Sequence, residues 1–192
     1  MKSLNSYLTE GGLIRRGMKI STKKYELTND TKKVSGHTLY QIQALIDFKT
    51  INGEQVKAGD LGGWIESENN LSQEGSCWVA NRAKVFEDAQ VRDNAIVTND
   101  ATIFGRAQIY DKAQVGDRAW ICNYAQVYGD AWIYDEAWIC GNAEVTGDAK
   151  VYGHARVHGD AWIYGDAWIC GSAQVYGSAR VDYSVSKGKI TK

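Results

Sequence analysis

The residues best suited to hold a metal ion are Cys122, Cys140 and His158, which follow one another at equal intervals along the chain. Cysteine thiolates and neutral imidazoles are common zinc ligands, but closed zinc sites normally use four ligands in a tetrahedron. If that interval makes one structural period, the three side chains stand in a straight column, which suits a tetrahedron poorly. The sequence therefore does not favour a metal site, and this column of three side chains is the one candidate for such a site that it offers. The interval would also permit a Cys122–Cys140 disulfide, although a reducing cytoplasm favours free thiols.

Histidine is scarce, which limits general acid–base chemistry. Only His37, His154 and His158 occur, and the sequence suggests no partner that would orient one of them as a base. No phosphate-binding loop, nucleophile elbow or Cys-x-x-Cys motif is present. The formal charge of −1 also argues against a basic surface that binds nucleic acid. The sequence therefore leans away from an enzyme, without excluding one, and predicts no cofactor.

All of these residues except His37 lie within a six-residue repeat, which predicts their positions in the fold. It runs without insertion over 75–182 as 18 consecutive hexads, with alanine third in 17 of them and valine or isoleucine fifth in all. Apolar spacings that alternate between two and four residues favour short strands over helices. The first position is mostly Gly, Asn or Asp, which tolerate the left-handed backbone of a corner. The pattern predicts an all-β, three-sided parallel solenoid of about six 18-residue coils, stacked at ~4.8 Å.

The hexads carry a resemblance to a known superfamily. Val-Tyr-Gly-Asp-Ala-Trp at 127–132 resembles the hexapeptide repeat of left-handed β-helix proteins, and the resemblance covers 75–182. It implies a left-handed coil. Acyltransferases and γ-type carbonic anhydrases share this fold, so the resemblance does not name a function. The segment 56–78 is similar to that of bacterial and phage or prophage hexapeptide proteins, some of which are labelled transferases. That similarity suggests a host protein, for example a defence component, as the partner.

A coenzyme-A-dependent acyltransferase is the enzymatic alternative that the resemblance implies. Such enzymes typically present a histidine beside a cleft between subunits and carry loops that project from the coils. Here no loop interrupts the hexads. Carbonic anhydrases of this fold use three histidine ligands, and the close sequence spacing of His154 and His158 does not match that pattern.

The chain divides into four predicted segments. Residues 1–21 are interpreted as a disordered or misassigned leader, with translation starting at Met18. Residues 22–70 are predicted to form a β-rich cap that contains a polar turn at 29–36 and a hairpin turn at Asn52–Gly53. The left-handed β-helix is expected over 71–185 and a charged tail over 186–192. No apolar stretch approaches the ~18 residues of a membrane span, and residues 1–20 do not resemble a signal peptide. We therefore expect the cytoplasm of a bacterial host cell.

The side chains at the fourth and sixth positions of each hexad are expected to point outward. Every third hexad returns to the same side of the solenoid, so these positions divide among three sides, which we name A, B and C. Six of the seven tryptophans fall at such positions. Aromatic residues in neighbouring coils can stack and stabilise the solenoid, or they can anchor a protein interface. The sequence favours a non-enzymatic protein that self-associates as a dimer or trimer and binds a protein partner, with no role for nucleic acid or membrane. The predicted interaction surface comprises Trp120, Trp138, Phe86, Phe104, Trp132, Tyr134, Tyr152, Trp168, Tyr110, Tyr128, Trp162 and Tyr164.

Overall fold

Residues 23–191, which the computed structural model describes, form a parallel β-solenoid of about seven turns behind an N-terminal β region. The predicted all-β solenoid is confirmed, with about one turn more than the six predicted. The additional turn comes from Trp64 and Leu71, which pair in parallel with Lys84 and Val91 of the first hexads. The leader predicted at 1–21 lies outside the described residues.

The three sides of the solenoid are three parallel sheets in which each strand pairs with the strand three hexads further along the chain, as the repeat predicts. Side A contains β6 (Trp78–Val79), β9 (Ile96–Val97), β12 (Gln114–Val115), β15 (Trp132–Ile133), β18 (Lys150–Val151) and β21 (Trp168–Ile169). Side B contains β7 (Lys84–Val85), β10 (Thr102–Ile103), β13 (Trp120–Ile121), β16 (Trp138–Ile139), β19 (Arg156–Val157), β22 (Gln174–Tyr176) and β24 (Lys189–Thr191). Side C contains β8 (Gln90–Val91), β11 (Gln108–Ile109), β14 (Gln126–Val127), β17 (Glu144–Val145), β20 (Trp162–Ile163) and β23 (Arg180–Val181).

Residue types at the interior and the corners explain the regularity. The alanine and the valine or isoleucine of each hexad point inward and are buried along the whole solenoid. The first position of all 18 hexads has a positive φ, between 52° and 77°. Eight of these residues are not glycine, and seven of the eight are asparagine or aspartate, the side chains best able to adopt this conformation. The predicted left-handed corners are therefore confirmed.

The N-terminal region covers the first coil with antiparallel strands. They are β1 (Tyr25–Val34), β2 (His37–Ala44), β3 (Phe48–Lys49), β4 (Gln55–Val56) and β5 (Leu61–Ile65), followed by a 3-10 helix at Glu68–Asn70. The hairpin at Asn52–Gly53 is confirmed, because β3 pairs with β4 on either side of it. The predicted turn at 29–36 is wrong, since β1 continues to Val34 and the turn occupies only Ser35 and Gly36. Pairing with β2 stabilises these polar residues as a strand.

Lys24 closes the N-terminal end of the core. Its buried Nζ donates hydrogen bonds to the carbonyl oxygens of Cys77, Glu74 and Gly75 at 2.9, 3.2 and 3.3 Å. Nζ also lies 3.2 Å from the sulfur of Cys77. Burial lowers the pKa of Lys24 and raises the pKa of the Cys77 thiol. The carbonyl groups that begin the first hexad therefore find their donor in the N-terminal region.

The C-terminal residues extend the solenoid. The segment 186–192 was expected to be a charged tail, but β24 within it pairs in parallel with β22. Ile190 packs against the core between two exposed neighbours, Lys189 and Thr191. The alternation of polar and apolar residues, rather than the lysine content, therefore determines this strand.

Candidate functional site

Four of the fourth-position tryptophans are among the large apolar residues that the solenoid leaves exposed, together with Tyr124 and Tyr183. Trp120 and Trp138 on side B are 50% and 41% exposed, and Trp132 and Trp168 on side A are each 45% exposed. Strand register explains this, because each is followed by an isoleucine that points inward. Trp78 differs: it points outward, as the hexads predict, but is buried beneath Tyr25 and Phe48.

The sixth-position aromatic residues of the predicted interaction surface form stacks along the solenoid. The rings of Tyr110 and Tyr128 on side C, and of Tyr134 and Tyr152 on side A, lie parallel at a centroid distance of 4.8 Å. Phe86 and Phe104 stack at 5.4 Å on side B, and Tyr164 contacts Trp162. Phe86 is buried and the other rings in these stacks are half-buried. Stacking between coils therefore accounts for the three parallel pairs, and a contact within its own coil accounts for Tyr164. The exposed tryptophans have no such stacked aromatic partner in the neighbouring coils and remain 41–50% exposed.

A groove runs beside the side B tryptophans, along the corner between sides A and B. It has a volume of about 1110 Å³ and continues into a 420 Å³ hollow between Trp120, Trp138 and Arg156. Second-position residues line it as a ladder of opposite charges in successive coils, in which Arg82 pairs with Asp100, and both Arg118 and His154 pair with Glu136. The exposed tryptophans therefore stand next to a row of ion pairs.

The hexads of side B carry no acid on their strand face. Their fourth-position residues are Lys84, Thr102, Trp120, Trp138, Arg156 and Gln174, and their sixth-position residues include no acid. The Arg156 guanidinium lies 5.5 Å from the Trp138 ring, a cation–π distance. At the N-terminal end of this side, burial together with the charges of Lys84 and Arg82 lowers the pKa of Lys32 to about 8, against the opposing effect of Asp100. The two tryptophans thus lie between a strand face that carries Lys84 and Arg156 and a corner groove that is lined by both acids and bases.

His154 has a partner that the sequence analysis missed. Its Nδ1 lies 2.9 Å from a carboxylate oxygen of Glu136, and its side chain is 75% exposed. The sequence does contain a signal for this contact, because Glu136 and His154 are three hexads apart and occupy the same position of their hexads. Arg118, three hexads before Glu136, completes the group. Charged pairs at the period of one coil can therefore be predicted from sequence.

The side B column of Cys122, Cys140 and His158 does not gather into a metal site. Within residues 23–191 no group of three or more His, Cys, Asp or Glu side chains is placed to hold a metal ion. The His158 ring stacks on Tyr176 at 5.1 Å. Burial, with the neighbouring Cys122 adding to it, raises the pKa of Cys140 to about 11. Both cysteines are free thiols.

The in-register pairing of hexads across three parallel sheets shows a hexapeptide-repeat β-solenoid. This fold is consistent with that of the hexapeptide-repeat left-handed β-helix proteins. No family model matches this β-helix protein. It is similar to a protein described as the uncharacterized acetyltransferase YdcK of Escherichia coli (strain K12), with 34% identity over 85 residues. The match covers 40% of this β-helix chain and only 24% of the length of YdcK. The described residues of this β-helix protein contain no helix long and apolar enough to cross a membrane.

Proposed function

We propose that this β-helix is a cytoplasmic binding protein and that side B, through Trp120 and Trp138, docks a partner protein. The observation that carries the proposal is the exposure of these two rings in adjacent coils, at 50% and 41%. Large aromatic side chains are the commonest anchors of protein interfaces. The neighbouring hollow of 420 Å³ offers space for an apolar side chain of the partner.

Charge indicates what kind of partner surface fits. Lys84 and Arg156 lie on the strand face of side B, whose hexads carry no acid at their fourth or sixth positions. A complementary partner carries an apolar anchor flanked by aspartate or glutamate, since opposite potentials across an interface favour association. Pairing the hexads of side B with those of a second copy would bring together two strand faces that carry Lys84 and Arg156 and no acid, so we propose a different protein as the occupant. The resemblance to phage and prophage proteins makes a host protein the source we favour.

Affinity capture from the native host cells tests the proposal, with mass determination of the purified complex in solution. The side B variant Trp120→Ser/Trp138→Ser is compared with the side A variant Trp132→Ser/Trp168→Ser, which removes two equally exposed tryptophans. We expect the side B variant to lose the partner and the side A variant to keep it. Equal recovery of the partner by the unaltered protein and by both variants would contradict the docking of a partner on side B. The measured mass also reports the predicted dimer or trimer.

Acyl transfer is a second candidate, which the His154–Glu136 contact and the similarity to YdcK favour. With Nδ1–H donating to Glu136, Nε2 of His154 can accept a proton. An acceptor hydroxyl or amine would lose its proton to Nε2 as it bonds to the thioester carbonyl carbon. The carbon–sulfur bond then breaks, and the leaving thiolate takes the proton from Nε2. The 75% exposure of His154 leaves this site open to water, so binding remains the first proposal.

A transfer assay separates the two candidates. If acyl transfer occurs, coenzyme A release from acetyl-coenzyme A, supplied with a panel of amines and sugars, should fall about a hundredfold or more in His154→Asn. The matched control His158→Asn, whose ring is held by Tyr176, should retain the rate. Release no faster than the uncatalysed background in the unaltered protein would reject the enzymatic candidate.

A further inference from the structure

The sixth-position column of side A has a gap in its aromatic stack. Its members are Ala80, Thr98, Gly116, Tyr134, Tyr152 and Cys170. Tyr134 and Tyr152 lie parallel at 4.8 Å with an interplanar angle of 3°. Tyr152 covers one face of the Tyr134 ring, and the other face points toward the coil of Gly116, where no side chain continues the stack.

Backbone geometry does not require the glycine at 116. Its φ lies outside the left-handed region, unlike that of the corner glycines. A Cβ built on Gly116 would meet the methyl group of Thr98 at 3.3 Å, a close but not forbidden approach, and no backbone atom within 4 Å. Other residues at sixth positions carry full aromatic side chains. The glycine therefore leaves a space where the fold would accept a side chain.

The space is a slot of about 450 Å³ on the outer surface of side A. Trp132 and Tyr134 form one end, and Thr98 together with Asn52, at the tip of the β3–β4 hairpin, forms the other. The Gln114 side chain also lines it. Flat aromatic walls at one end are thus combined with the Gln114 amide, which can donate and accept hydrogen bonds. The Asn52 oxygen already accepts from Thr50 Oγ1 and the Glu54 N–H at 2.6 and 3.2 Å, so Asn52 offers its amide nitrogen as a donor.

We propose that this slot binds a planar heteroaromatic ring of the nucleobase type. A ring stacked on the free face of Tyr134 would continue the stack one coil further, in the place that a residue-116 side chain would fill. Base–aromatic stacking is favourable and tolerates many ring types. The polar edge of a base would face the amides of Gln114 and Asn52, which select a heteroaromatic ring over a hydrocarbon. The site lies on side A, apart from the docking face proposed above.

Adenosine is the probe for this site, measured by saturation-transfer NMR and by titration calorimetry on the full chain. We expect transfer to the base protons with the unaltered protein and at least a tenfold weaker affinity in Gly116→Tyr, whose ring fills the slot. Tyr134→Leu removes the stacking face and should weaken binding to a similar degree. The matched control is Thr146→Tyr, which adds a tyrosine between Tyr128 and Tyr164 of side C and should bind as the unaltered protein does.

Three outcomes would overturn the proposal. The first is no binding of adenosine at millimolar concentration, and the second is undiminished binding by both Gly116→Tyr and Tyr134→Leu. The third is binding of adenosine monophosphate alone, which would assign recognition to the phosphate rather than to the ring. Circular dichroism melting of each variant shows that the fold is kept. Because Tyr134→Leu adds no bulk, the proposal is tested even if the glycine variant does not fold.

Discussion

Replacing Asn70 by alanine is expected to lower the free energy of unfolding by about 4 kcal/mol. The Asn70 side chain is fully buried, and its amide uses every hydrogen-bonding position. Its oxygen accepts from the backbone N–H groups of Glu66 and Ser67 at 3.1 and 2.9 Å, and its nitrogen donates to the carbonyls of Glu87 and Ala89 at 2.8 Å. The substitution leaves the Ser67 N–H and the carbonyls of Glu87 and Ala89 without these partners at the junction of the N-terminal region and the first coil, while the Glu66 N–H keeps its hydrogen bond to the Val85 carbonyl at 3.2 Å.

Thermal unfolding measures this effect, and Asn142→Ala is its control. Asn142 is exposed and donates one hydrogen bond to Asp160 at 2.8 Å, so its loss should cost under about 0.5 kcal/mol. Hydrogen exchange at the amides of Glu66 and Ser67 should also become faster in Asn70→Ala. If both asparagine variants melted at the same temperature, Asn70 would not hold the junction in the way described.

Replacing Ile139 by alanine is expected to cost about 3 kcal/mol, whereas replacing its neighbour Trp138 by serine should cost about 1 kcal/mol or less. The two residues make up β16, but they face opposite ways. Ile139 is fully buried between Ile121 and Val157 of the adjacent coils, so its truncation opens a cavity in a narrow core. Trp138 is 41% exposed and contacts Arg156 at a cation–π distance.

Urea unfolding of both variants distinguishes the two roles that an outward tryptophan can have. A small loss for Trp138→Ser and a large one for Ile139→Ala would show that side B tryptophans contribute little to stability and are free to serve binding. A loss for Trp138→Ser as large as that for Ile139→Ala would instead assign Trp138 to the stabilisation of the solenoid. The matched side A replacement, Trp168→Ser, should behave like Trp138→Ser.

The sequence predicted the solenoid well because a strict period leaves few alternatives. Alanine and valine or isoleucine at fixed positions determine the interior, and Gly, Asn or Asp determine the corners, so every outward residue could be assigned to its side. The prediction was less successful where the period ends. The strand at Lys189–Thr191 was missed because its lysines were given more weight than the alternation around Ile190, and the long β1 depends on its pairing with β2.

The candidate functional surface was only partly predictable for a related reason. The position of a residue in its hexad predicts which side of the solenoid its side chain faces. It does not predict how far neighbouring segments bury that side chain. Trp78 and Trp120 occupy equivalent outward positions, yet Trp78 is buried by residues of the N-terminal region while Trp120 is half exposed. The contact between His154 and Glu136 was readable from their three-hexad interval, whereas the slot at Gly116 needed the position of the β3–β4 hairpin.

The dissociation constant of the captured partner, measured by calorimetry, tests the central claim most directly. The proteins compared are the unaltered chain, Trp120→Ser/Trp138→Ser and Trp132→Ser/Trp168→Ser. We predict that the side B replacements weaken binding about a hundredfold or more, as loss of two interface anchors should, and that added salt weakens binding to the unaltered chain. The side A replacements should change the constant less than about threefold. Equal dissociation constants for all three proteins would contradict the assignment of side B as the docking face.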